Sequence, residues 1–184
     1  MINLPNWLLI GAAGRNAGKT ELACALIARH LPVAAVKITV VRPENTGGCP
    51  RGGEGCGVCS SVNETPYWIS EETNPDGPKD TARLLTAGAS PVLWLCCRQA
   101  ALPEALDALL PRLPDLPVIA ESNSLRHLVI PSLFVMVRLK GDRATKPSAR
   151  AVLPKVDRLI SSDGAAFDLD LDDVVYEDGI WKLK

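Results

Sequence analysis

Apolar residues follow two rhythms along this chain. Residues 7–13, WLLIGAA, are a continuous apolar run of strand length, whereas residues 21–30, ELACALIARH, space their apolar side chains as one helix face does. PVAAVKITVV (32–41) is again short, branched and apolar, as a buried strand is. Further along, KDTARLLTAGA (79–89) reads as a helix closed by Gly88, SPVLWLCC (90–97) as a strand and PEALDALLPRL (103–113) as a helix. PVIAESNS (117–124) is a strand running into polar residues, SLFVMVRL (132–139) a strand, KPSARAVLPKV (146–156) a helix and DRLISS (157–162) a short strand. The tail DVVYEDGIWKL (173–183) alternates around Asp178 and Gly179, the strongest short hairpin signal in the sequence. Only between about 42 and 78 does the rhythm lapse, into a proline- and glycine-rich stretch with a cysteine cluster, where PYWIS (66–70) alone suggests order.

Strands separated by helical segments imply βαβ units and a mostly parallel sheet covered on both faces. The expectation is a three-layer α/β domain spanning 1–184, with an insert at about 42–78 and a C-terminal β-hairpin. Ligands of such sheets bind beyond the carboxyl ends of the strands, which gathers the loops after Ile10, Thr39, Cys96, Ala120 and Leu139 on one side.

A formal net charge of −1 with 22% charged residues gives no basic surface for nucleic acid, so any polyanion must be met locally. No run approaches the roughly 18 apolar residues of a membrane span, and the N-terminus lacks a basic leader; a soluble, cytoplasmic protein is expected.

The local polyanion site is legible in AGRNAGKT (13–20), which fits the phosphate-loop pattern GxxxxGK[ST] with alanine in place of the first glycine. A strand precedes it and a helix follows, the context the motif requires. Backbone N–H groups of Gly14, Arg15, Asn16, Ala17, Gly18, Lys19 and Thr20 would wrap a phosphate at a helix N-terminus. Glu21 follows in the first helical turn. Lys19 would bridge the terminal phosphates of ATP or GTP, and the Thr20 hydroxyl would hold Mg²⁺.

Together with VAAVKIT (33–39) and DGPKDTARLLTAGASPV (76–92), this segment resembles the molybdopterin-guanine dinucleotide biosynthesis protein B (MobB) family of phosphate-loop nucleotide-binding proteins. That family also ends its second strand with a lysine and carries a pGKDSxRxxxAGAxxV segment. The resemblance covers roughly the first half of the chain. It implies a P-loop NTPase fold, a homodimer that binds GTP, weak GTPase or ATPase activity, and an accessory role beside a molybdenum-cofactor nucleotidyltransferase.

Outside the loop, Lys37 at a strand's carboxyl end reads either as a ligand of phosphate or substrate anion or as a lysine snorkelling from a sheet edge. Asp80 reads as a Mg²⁺-sensing carboxylate or as an N-terminal helix cap, and Arg83 as a site residue or a solvated arginine. Glu121 stands where related phosphate-loop enzymes, among them dethiobiotin synthetase-like ligases, place a Mg²⁺-associated carboxylate, and so joins Lys19 as a candidate catalytic residue; its other reading is a strand-end glutamate in solvent. Asn123 and Ser124 would be supporting donors or turn formers. The guanine-reading pattern [NT]KxD finds its nearest match in TKPS (145–148), with Ser148 where the acid belongs, so the sequence does not select GTP over ATP.

A second departure from the family is Cys49, Cys56 and Cys59, spaced C-x6-C-x2-C within eleven residues. Such spacing reads as a Zn²⁺ or iron-sulfur site, as a redox or sulfur-handling group, or as an inert loop; as a metal site its fourth ligand is open between Cys96, Cys97, His30, His127, water, a dimer mate or substrate. Cys96 and Cys97 are adjacent on a strand and must face opposite ways. Cys24, within the helical LACALI, reads as a small core residue. Beside the accessory-protein reading stand two others: a small-molecule kinase or ATP-dependent ligase, and a metal-handling nucleotide switch using the cysteine loop.

Overall fold

The computed structural model describes residues 1–42 and 65–184. Its strands are β1 (Ile2–Ala12), β2 (Ala34–Val41), β3 (Tyr67–Glu71), β4 (Val92–Arg98), β5 (Val118–Glu121), β6 (Val129–Leu139), β7 (Arg158–Ser162), β8 (Val174–Glu177) and β9 (Ile180–Leu183). The helices are α1 (Lys19–Ile27), α2 (Asp80–Thr86), α3 (Leu102–Leu109) and α4 (Pro147–Arg150), supplemented by short 3₁₀ turns.

Seven strands make one sheet in the order β3-β4-β2-β5-β1-β6-β7, and all neighbours are parallel except the edge pair β3 and β4. The interior strands are apolar on both faces because both are covered. Alternation along β1 sends Trp7 and Leu9 into one core, with Leu102, Ala105, Leu106 and Leu109 of α3. Leu8 and Ile10 enter the other core, with Leu22, Ala23, Leu26 and Ile27 of α1 and Leu84 of α2. The buried positions of α3 recur at the three- and four-residue spacing of an amphipathic helix. This is the expected three-layer α/β arrangement.

The C-terminal hairpin is present, with β8 and β9 paired antiparallel around Asp178 (φ 54°) and Gly179 (φ 80°). Two consecutive left-handed residues are what a tight hairpin turn of this hand demands. The hairpin is anchored by Trp181, which is 1% exposed and donates its indole N–H to the Asn6 carbonyl at 3.0 Å.

Three expectations need adjusting. β1 begins at Ile2 rather than at 7, because Ile2, Asn3 and Leu4 pair with Val129, Ile130 and Pro131; the register then shifts before Leu8, at the irregularity that accommodates Pro5. The helix expected over 146–156 stops at Arg150, since Pro154 cannot donate an amide and disfavours helix before it. Within the proposed insert, PYWIS belongs to the sheet as β3, its edge strand. No helix among the described residues is long and apolar enough to cross a membrane.

Candidate functional site

Parallel strands bring the carboxyl ends of β1, β2, β4, β5, β6 and β7 to one side of the sheet. The chain passes from β5 on one flank of β1 to β6 on the other, which opens a crevice at the end of β1. The loop of residues 13–18 fills that point. Its first residue is held on both sides: Ala13 N–H donates to the Val137 carbonyl of β6 at 2.8 Å, and Lys146 N–H donates to the Ala13 carbonyl at 2.9 Å. Asn123 clamps the end of β1, its Oδ1 accepting from Ala12 N–H at 2.9 Å and its Nδ2 donating to the Ala12 carbonyl at 3.0 Å. Asn123 is therefore a support for the loop. Ser122 turns the chain after β5, its Oγ accepting from Leu125 N–H at 3.1 Å.

The loop reverses through Asn16 (φ 52°) and Gly18 (φ 90°), after which α1 begins at Lys19. At Gly18 a side chain would be strained, and its Cβ would lie 3.2 Å from Ser162 Oγ. Lys19 and Thr20 thus open a helix whose first N–H groups face a cavity of about 740 Å³. The lining includes Gly14, Arg15, Asn16, Ala17, Gly18, Lys19, Thr20 and Glu21 from the loop and the start of α1. Lys37, Asp80, Arg83 and Lys146 converge on it from elsewhere, so five cations and two carboxylates surround it. That charge balance calls for an anion.

Behind the loop lies a buried ionic chain. Lys37 and Glu121 are register partners on β2 and β5, so their side chains share a face; Lys37 Nζ donates to Glu121 Oε2 at 2.5 Å and to Asp80 Oδ2 at 2.7 Å. Lys19 Nζ lies 3.1 Å from the same Glu121 oxygen. Glu121 is fully buried, and its Oε1 has no hydrogen-bond partner among the described residues. Burial opposes ionisation of Glu121, but the ammonium groups of Lys19 and Lys37 outweigh it and hold the carboxyl at about 2. Burial likewise opposes the charge on Lys37, yet Glu121 and Asp80 raise its pKa. For Lys19 desolvation wins and lowers the pKa, with Glu121 offsetting part of the loss.

The structure decides several open readings. Lys37 is 7% exposed on an interior strand, so it is not a snorkelling edge lysine. Asp80 is not a side-chain cap: Lys79 holds the cap position of α2, and Asp80 is the first helical residue, facing Lys37. Arg83 pairs with Glu21 at 3.0 Å, both about half exposed, beside the cavity. Cys96 and Cys97 are buried in different cores, as adjacent strand residues must be. Cys24 packs partly buried, with Sγ 3.5 Å from the Arg83 carbonyl. Cys49, Cys56 and Cys59 lie outside the described residues. His30 packs edge-on against Trp181 at 4.9 Å and His127 is exposed; among the described residues no three His, Cys, Asp or Glu side chains gather as metal ligands.

Lys146, Ser162, Gly164, Ala165 and Phe167 also line the cavity and were not singled out from the sequence. Lys146 belongs to the TKPS segment, Ser162 ends β7 and the others follow it. Lys146 has no ion-pair partner among the described residues; burial and the nearby charges of Lys19, Lys37, Arg15 and Arg42 bring its pKa down to about 8. A bound polyanion stabilises the protonated amine and raises that value. Affinity for a polyphosphate should therefore be level below about pH 8 and fall as the pH rises beyond it. Calorimetric titrations between pH 7 and 9 check this, and Lys146→Met should flatten the profile.

No protein-family model, no curated protein and no solved structure matches the chain.

Proposed function

We propose that this chain is a Mg²⁺-dependent nucleoside-triphosphate-binding protein of the P-loop type, with weak NTPase activity. The observation that carries this reading is the juxtaposition of the 13–20 loop, ending in Lys19 and Thr20 at the head of α1, with a cavity ringed by Arg15, Lys19, Lys37, Arg83 and Lys146. Amides at a helix terminus and a surplus of cations are the physical requirements of a polyphosphate site.

The residues present also suit a magnesium ion. Thr20 is 7% exposed and lines the cavity, and the partnerless Oε1 of Glu121 is a buried acceptor beside Lys19. Thr20 would supply a hydroxyl ligand, with Glu121 ordering the ion's water shell. Mg²⁺ so held neutralises phosphate charge and polarises the terminal phosphoryl group. Lys19 would leave Glu121 for the phosphates, while Lys37 stays on Glu121 and Asp80 and keeps that carboxylate ionised and oriented.

Within this class we favour the role that the sequence resemblance implies: a cytoplasmic, homodimeric accessory factor for nucleotide attachment to the molybdenum cofactor. Support for it is the Lys37–Asp80 contact, which ties VAAVKIT to DGPKDTAR, the two segments that carry the likeness. The test is calorimetry with Mg²⁺ and a triphosphate, followed by affinity purification. One nucleotide per chain and recovery of a cofactor nucleotidyltransferase are expected. Absence of binding overturns the nucleotide reading, and nucleotide binding without that partner overturns the cofactor role alone.

A further inference from the structure

Of the two cations in the 13–20 loop, Arg15 has no ion-pair partner among the described residues, whereas the ammonium of Lys19 is already committed, 3.1 Å from Glu121 Oε2. Glu121 has a second holder. Its fully buried carboxylate accepts from Lys37 at 2.5 Å, its register partner on β2, and Lys37 is anchored in turn on Asp80 at 2.7 Å. These groups differ in freedom. Glu121 and Lys37 extend from interior strands, whereas Lys19 projects from the junction of the loop with α1, and its side chain is 21% exposed. Lys19 is therefore the member able to leave.

A phosphate in the loop claims the same ammonium. When Lys19 turns to it, Lys37 is the single cation left on Glu121 among the described residues, and Glu121 Oε1 has no partner to begin with. Taking one partner from a buried charge is costly, and the cost is subtracted from the affinity for phosphate. A divalent cation beside Glu121 restores the missing positive charge. Anion and cation thus each favour the other's binding, and by linkage they do so equally. We propose that the Lys19–Glu121 ion pair is a latch, which occupies the phosphate-binding ammonium in the empty site and makes polyphosphate binding conditional on a divalent cation. The latch rests on the nucleotide-binding reading above and adds a control to it.

A latch differs from plain repulsion between carboxylate and phosphate. Asp80 is a carboxylate of the same network, and it lines the cavity, but its partner is Lys37 and not Lys19. Repulsion alone makes Asp80 an opponent of a bound anion at least as strong as Glu121. A latch singles out Glu121.

The test is calorimetry of the full chain with inorganic tripolyphosphate, first in the presence of a chelator and then with Mg²⁺. Glu121→Gln keeps the length of the side chain and an acceptor oxygen for Lys37 while removing the charge. It should bind metal-free tripolyphosphate about tenfold more tightly than wild type, and Mg²⁺ should add correspondingly less to its affinity. Asp80→Asn should stay within about threefold of wild type without metal, as loss of a partly exposed charge does. If Glu121→Gln folds poorly, the wild-type chain still decides the matter: the ¹³C carboxyl resonance of Glu121 should shift as metal-free tripolyphosphate saturates the site and Lys19 departs. A Glu121→Gln chain that binds no more tightly than wild type overturns the latch, as do equal gains in the Glu121 and Asp80 variants or a Glu121 resonance indifferent to saturation. Each of these leaves the nucleotide reading standing. Failure of tripolyphosphate to bind any of the chains, with or without Mg²⁺, removes both.

Discussion

Lys19→Ala is expected to lose at least about a hundredfold in affinity for a Mg²⁺-bound triphosphate, since two charge-assisted hydrogen bonds to phosphate are worth about 3 kcal/mol or more. The fold should survive. Lys19 is one of two cations on Glu121, and Lys37 remains at 2.5 Å to keep the carboxylate paired. Burial already lowers the pKa of Lys19, so its removal also relieves a desolvation cost. Thermal denaturation should shift by only a few degrees while calorimetry detects no saturable binding. Unchanged affinity in this variant would overturn the assignment of the loop.

Glu121→Ala should have the opposite profile, with the larger effect on stability. Its removal leaves Lys37, 7% exposed, with the partly exposed Asp80 as partner, and leaves Lys19 with no ion-pair partner among the described residues. Stripping one partner from a buried ionic network costs about 3–5 kcal/mol. For a chain of 184 residues that is a fall of about 6–20 °C in melting temperature. A companion effect of pH has a definite sign. The folded state holds Glu121 at about 2 against an ordinary 4.5, so its stabilisation is complete above the ordinary value and is lost as the pH falls toward 2. Glu121→Ala should flatten that acid limb of the stability profile. Wild-type stability and an unaltered acid limb in the variant would show that the network contributes nothing.

The residues of this site are legible in the sequence to different degrees. Residues 13–20 are legible because their chemistry is local: a strand, a loop with Gly18, and a helix opening on Lys19 are consecutive. Lys37 and Glu121 were each recognisable as polar residues ending apolar strands, but their contact depends on β2 and β5 being neighbours, which no local pattern specifies. Asp80 reads as a cap when only its own helix is considered; a lysine brought from β2 gives it another partner. Lys146 and Phe167 stayed hidden for a related reason. They become site residues only because β6 and β7 lie on the far flank of β1, a matter of strand order and not of spacing. The alternation in the hairpin, by contrast, is self-contained, and Asp178–Gly179 turns as its residue types demand.

The central claim is that the amides of residues 13–20 hold a polyphosphate. Its most direct test is the set of backbone amide resonances of an isotopically labelled chain titrated with Mg²⁺ and ATP. The resonances of Gly14, Gly18, Lys19 and Thr20 should shift together and saturate at one nucleotide per chain, with slowed hydrogen exchange at the same residues. Amides in that loop that neither move nor gain protection, while resonances elsewhere respond or none do, would contradict the account.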